Sequence, residues 1–145
     1  MKNARRVQDL GLTASAFTTA QETVPVMVPQ GHTLAVLTIQ NTANLTLAAT
    51  NEVDFTLQTT YDDGRTWQAL CNIHWDNADN ASAPTRQVVL NGSTMANAAY
   101  TPALTLADDA TAARAIGSQL RLTAAFTVAG TVAAGTVATV MTSAS

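Results

Sequence analysis

The chain has 145 residues, of which only 12% are Asp, Glu, Lys or Arg, about half the roughly 25% usual in a globular domain. Disorder driven by high charge is excluded, and a net charge of −3 with a pI near 5.0 lacks the basic footprint that phosphate backbones require. Ala and Thr, with 28 and 24 copies, supply about a third of the chain.

Residues 1–20 open with Lys2, Arg5 and Arg6, continue through Leu10, Gly11 and Leu12, and show neither period 2 nor a sustained 3.6 repeat, so an N-terminal arm is expected. From residue 24 the pattern changes. Val24, Val26 and Val28 alternate with Pro25 and Pro29 close by, and a missing proline N–H confines such a run to a sheet edge. Residues 32–40 are apolar on both faces and rich in β-branched side chains, which predicts a strand covered on two sides.

The clearest segment is 53–75. Val53, Phe55 and Leu57 alternate with polar residues, Asp63-Gly64 interrupts, and Trp67, Ala69, Cys71, Ile73 and Trp75 resume the alternation. This predicts a hairpin with Gly64 at positive φ and with Trp67 and Trp75 on the same core-facing side.

Residues 76–84 are turn formers, and 86–90 form a short strand closed by Asn91-Gly92. The Ala-rich stretch around Asp108 and Asp109 allows one short helix. Leu120, Leu122, Ala124 and Phe126 alternate again, and Val132, Val137 and Val140 suggest a last strand. Seven or eight short strands with turn signals between them predict an all-β fold, an antiparallel β-sandwich or jelly roll. One domain over 21–145 is expected, preceded by the arm at 1–20. Surface scaling lets a chain of this size bury about two thirds of its open-chain area. Large side chains are few, however, with three Phe, two Trp and two Tyr, so the core is thin.

Thr, Asn, Gln and Asp interrupt every hydrophobic stretch well short of a membrane span, and Gln8 and Asp9 break the region where a secretory signal would need its apolar run. A soluble chain with no membrane partner and no direct nucleic-acid partner is expected.

Chemistry is sparse in the sequence. Cys71 is the single cysteine, so an intrachain disulfide and a Cys-based zinc cage are excluded. It shares a strand face with Ile73, which suits a small buried hydrophobe rather than a nucleophile. His32 and His74 sit in strand patterns and are expected to be satisfied structural histidines. Cys71 and His74 fall on opposite strand faces and do not make a zinc pair. Asp62 and Asp63, and the group Asp76, Asn77, Asp79 and Asn80, lack calcium-loop spacing and fit turn chemistry. No phosphate loop, nucleophile elbow or His-Glu-x-x-His occurs. No catalytic residue, cofactor or metal site is therefore expected, and no enzyme. Lys2, Arg5 and Arg6 are the candidate partner-binding residues. Trp67, Trp75, Tyr61 and Tyr100 leave open a sugar-stacking platform, as in a carbohydrate-binding or adhesin-like sandwich.

The stretch from Asp54 to Trp67, in which a strand with Gln58 and Thr59 leads through Asp63-Gly64 to Thr66-Trp67, resembles a hairpin of small virion proteins of tailed bacteriophages. With the Ala/Thr-rich composition, the chain is similar to capsid decoration or cement proteins, most nearly the jelly-roll cement protein of the Bordetella short-tailed phage type. The resemblance implies a virion protein made in the host cytoplasm. It would sit on the capsid exterior as a homodimer and bridge neighbouring major capsid protein subunits. Another phage head or tail structural protein is the related alternative. On physical grounds, low charge suits crowded identical copies, and many weak contacts gain from raised effective concentration. The unguarded C-terminal strand is expected to serve self-association, and the arm to serve shell binding.

Overall fold

The computed structural model describes residues 5–40, 52–76, 85–91, 103–112, 114–126 and 130–144. Among the described residues nine strands are present: β1 (Arg5–Asp9), β2 (Gln21–Glu22), β3 (Val26–Met27), β4 (Leu34–Gln40), β5 (Glu52–Thr60), β6 (Gln68–Asp76), β7 (Thr85–Asn91), β8 (Gln119–Phe126) and β9 (Val137–Ser143). They form two antiparallel sheets, one ordered β1-β9-β4-β7 and the other β2-β8-β5-β6 with β3 also on β8. The fold is a β-sandwich, as expected.

Period-2 alternation builds the core. Ala35, Leu37 and Ile39 of β4, with Ala138 and Val140 of β9, meet Val53, Phe55 and Leu57 of β5, Cys71, Ile73 and Trp75 of β6, and Leu120, Leu122 and Ala124 of β8. Phe55 and Trp75 meet edge to face at 6.5 Å. Fully burying a side chain of this size stabilises by about 1.5–3 kcal/mol, so these few aromatic and aliphatic groups dominate a thin core.

Several expectations change. Residues within 1–20 do not form a detached arm: 5–9 are β1, paired with β9 from Arg5↔Ser143 to Asp9↔Thr139, while Leu10 and Phe17 are core residues. Phe17 bridges Val132 and packs edge to face on Phe126 at 6.0 Å. The C-terminal strand is not an edge, because β9 lies between β1 and β4 with both sides hydrogen-bonded. β4 is covered on one face only, alternating between buried and half-buried positions. No helix forms at 103–112. Its backbone instead bonds the outer edge of β6, through Ala69 N to Ala103 O, Asn72 N to Ala110 O and Ala112 N to Leu70 O.

The proline-bearing edge at 23–29 is as expected, with β2 and β3 short and paired only to β8. The hairpin also forms, with Asp63 at φ 56° and Gly64 at φ 90°. Its register, however, shifts between Leu57 and Gln58: Leu57 pairs with Cys71 and Gln58 with Ala69, leaving Leu70 as an extra residue. A bulge of this kind reverses side-chain parity along one strand. Cys71, Ile73 and Trp75 therefore point inward, whereas Ala69 shares the outer face with Gln58. Trp67 does not share the core-facing side of Trp75; it is half-buried at the outer surface. The candidate residues Asn77, Asp79, Asn80 and Tyr100, and the Asn91-Gly92 closure beyond Asn91, lie outside the described residues.

Candidate functional site

Two surfaces and one side-chain cluster carry the chemistry the fold brings together. The first surface is the outer face of the four-stranded sheet. Register places Val7 opposite Met141, Met141 opposite Val36, and Val36 opposite Val89. One apolar row thus crosses all four strands, and Val7 and Val89 are 68% and 66% exposed at its ends. Thr38 and Thr139 pair in the adjacent row. Of the candidate partner-binding residues, Arg5 lies on the same face of β1 as Val7, and Arg6 projects from the opposite face at the rim; both are exposed. Lys2 lies outside the described residues.

The second surface is a shallow groove of about 400 Å³ lined by Arg65, Thr66, Trp67, Ala103, Leu104 and Arg121. The Arg121 guanidinium stacks over the Trp67 ring at 4.3 Å. It also donates from Nε to Gln58 Oε1 (2.8 Å) and from Nη1 to Glu22 Oε1 (2.7 Å). Trp75 is 1% exposed and has Arg86 over its ring at 5.2 Å. The two tryptophans therefore make no flat stacking platform for a sugar, since one is buried and the other is capped by a cation.

The cluster is Asp54, His74 and Asp108. Asp54 and His74 are direct partners across the β5–β6 hairpin, on the face opposite the core, and Asp108 comes from the 103–112 segment. That segment reaches the outer face through side-chain bonds. Gln58 Nε2 donates to Leu104 O (2.8 Å), Asn72 Nδ2 donates to Leu106 O (3.3 Å), and the His74 backbone N–H donates to Asp109 Oδ1 (3.0 Å). Asp109 has φ 52°. Arg86 Nη1 donates to His74 O at 3.1 Å and reaches Asp109 Oδ1 at 3.5 Å. His74 Nδ1 lies 2.9 Å from Asp54 Oδ1 and 3.4 Å from Asp108 Oδ1. Burial pushes the imidazole pKa down, but the Asp54 hydrogen bond and the charges of Asp108, Asp54 and Glu52 outweigh it and raise it from the ordinary histidine value.

His74 is thus a structural histidine held by two carboxylates. No hydroxyl or thiol among the described residues hydrogen-bonds its ring, and Cys71 faces the core, so the arrangement lacks a positioned nucleophile. His32 Nδ1 shares a hydrogen bond with Thr142 Oγ1 at 2.9 Å. Asp62 commits its carboxylate to the hairpin tip: Oδ1 accepts from Thr66 N and Thr60 Oγ1, and Oδ2 accepts from Thr66 Oγ1.

Sequence reasoning missed the cluster because Asp108 is far from its partners along the chain. The Asp54–His74 half was within reach. A tip between Asp63 and Gly64 pairs odd-numbered residues with even-numbered ones, yet the apolar residues of both strands are odd-numbered. One extra residue must intervene, and it sets His74 opposite Asp54.

Comparison with protein-family models, with curated proteins and with solved structures finds no match for this chain.

Proposed function

We propose that the chain is a non-enzymatic virion structural protein of the capsid-decoration kind, similar to jelly-roll cement proteins of tailed phages. It binds the outside of the shell as a homodimer and cements neighbouring major capsid protein subunits. The observation that carries this reading is the weakly charged outer face of the four-stranded sheet, with its row Val7, Met141, Val36 and Val89. Exposed apolar surface of this kind marks protein contact sites, and the threonines beside it can hydrogen-bond without a charge to desolvate. The resemblance of the Asp54–Trp67 stretch to hairpins of small virion proteins points the same way, and this stretch does turn at Asp63-Gly64 between two paired strands. Arg5, beside Val7 on that face, supplies a rim cation for an acidic shell surface.

The test is co-sedimentation of the purified chain with assembled shells of the major capsid protein. Val7→Lys with Val89→Lys places two charges on the face, and both sites are exposed enough to keep the fold. Wild type sediments with shells and the double variant stays in the supernatant. Full-occupancy binding by a folded double variant refutes the face assignment, and failure of wild type to bind expanded or unexpanded shells refutes the function.

A further inference from the structure

We propose that Asp54, His74 and Asp108 bind a first-row divalent cation of the zinc class, which fastens the 103–112 segment to the outer face of the five-stranded sheet. This reading stands apart from capsid binding and rests on three observations.

The first is geometry. One ligand atom from each residue lies within 4.8 Å of the other two, and the His74 distances to Asp54 and Asp108 are 2.9 and 3.4 Å. An ion with bonds of about 2.0–2.2 Å to nitrogen and oxygen holds its ligand atoms roughly 3.0–3.5 Å apart. The two His74 distances lie within tenths of an ångström of that spacing, and the Asp54 and Asp108 atoms, within 4.8 Å of each other, need only close on the ion. It takes the place of the proton that otherwise lies between Nδ1 and Asp54.

The second is donor chemistry. One imidazole with two carboxylates suits zinc, manganese, iron(II), cobalt or nickel. It lacks the thiolates that copper(I) prefers and the all-oxygen set that calcium and magnesium prefer. Two formal negative charges offset the ion, and Asp108, 68% exposed on its side chain, leaves a path for entry and an open position for water.

The third is Asn72. It is 3% exposed, and its Nδ2 donates to Asp54 Oδ1 at 2.9 Å and to the segment carbonyls, in the manner of the outer-shell groups that orient metal ligands. Its Oδ1 is buried with no hydrogen-bond partner. The two ends of an amide are roughly 2.3 Å apart, so this acceptor lies within about 5 Å of Asp54 Oδ1. A cation that carried a water on that side would present a donor to it. A proton alone on His74 joins the two carboxylates but leaves this buried acceptor unsatisfied, which is costly.

The test uses the full chain, stripped with EDTA and titrated with zinc sulfate by calorimetry. One equivalent binds. Asp108→Asn, at an exposed position, keeps the circular dichroism spectrum and weakens binding by at least about tenfold. His74→Gln abolishes binding, and His32→Gln leaves it unchanged. Manganese(II) added to isotope-labelled protein broadens the resonances of His74 and the Asn72 side-chain amide before those of His32. Heat that fails to saturate at about 1 mM zinc, affinity unchanged in Asp108→Asn, or binding lost in His32→Gln would each overturn the site. Because Asp108 lies outside the strands, on the 103–112 segment, a folding failure of His74→Gln leaves the result of Asp108→Asn decisive.

Discussion

Gly117, two residues before β8, packs against the end of β5, and alanine there is expected to cost more than any conformational term. An added Cβ would lie 1.9 Å from Thr60 O, 2.7 Å from its carbonyl carbon and 2.9 Å from Thr59 Oγ1. A carbon–oxygen contact relaxes only beyond about 3.3 Å, so the backbone must separate by more than an ångström. Thr59 and Thr60 are fully buried, and the bonds that close this junction are Ser118 N to Thr60 O (3.0 Å) and Gly117 N to Thr59 Oγ1 (2.8 Å). Pulling both apart strands buried groups at about 1–3 kcal/mol each, or about 2–6 kcal/mol together. For a domain of this size each kcal/mol lowers Tm by about 2–4 °C, so Gly117→Ala is expected to melt roughly 4–24 °C below wild type. Gly31 is the control. Its φ is +82° but an added Cβ meets nothing within 4 Å, so alanine pays only the left-handed penalty of about 1–2 kcal/mol. Thermal melts followed by far-UV circular dichroism order the two. Gly117→Ala melting at or above Gly31→Ala would refute the close-packing argument.

Asp62 sets the acid limb of hairpin stability. The backbone N–H and hydroxyl of Thr66, with Thr60, hold its carboxyl below 3.8 against a small opposing effect of desolvation. A depressed folded-state pKa stabilises above the unfolded value and is lost as pH falls through the folded one. Asp62→Ala should therefore lower Tm at neutral pH, and its gap to wild type should narrow as pH drops below 3.8; a gap constant with pH would count against the carboxylate's role. Burial pushes the Cys71 thiol up to about 12, so thiolate is scarce in the folded chain. Labelling by a disulfide reagent at pH 8 should follow the urea unfolding curve, and fast stoichiometric labelling of folded protein would contradict the inward parity of β6.

Local signals are plain in this sequence, and long-range ones are not. The hairpin was legible because alternation and the Asp63-Gly64 tip are carried by neighbouring residues, and the 23–29 edge because proline states its own constraint. β1 was not legible. Arg5–Asp9 is a short polar segment whose strand character comes from pairing with β9, more than a hundred residues away. The same distance hid the interior position of β9. An Ala-rich stretch with helical propensity was drawn to the β6 edge because Ala110 and Ala112 satisfy strand hydrogen-bonding groups there, and tertiary context overrides a weak propensity. Trp67 was misplaced by one residue's worth of parity. For the candidate cluster, Asp54 and His74 could have been paired by counting, whereas Asp108 arrives through an irregular segment that no periodicity describes.

The extra residue Leu70 gives this hairpin a place where its length can change without disturbing the rest. With Leu70 removed, Gln58 stays opposite Ala69 and Leu57 opposite Cys71, so the ladder becomes regular, Cys71, Ile73 and Trp75 keep their inward parity, and Asp54 keeps His74 as its partner. What is lost is one side chain, 1% exposed in the core. A residue lost from 71–75 instead puts part of that run out of step with Val53, Phe55 and Leu57, so changes in length should gather at residues 69–70 while the positions beyond them vary by substitution at fixed spacing.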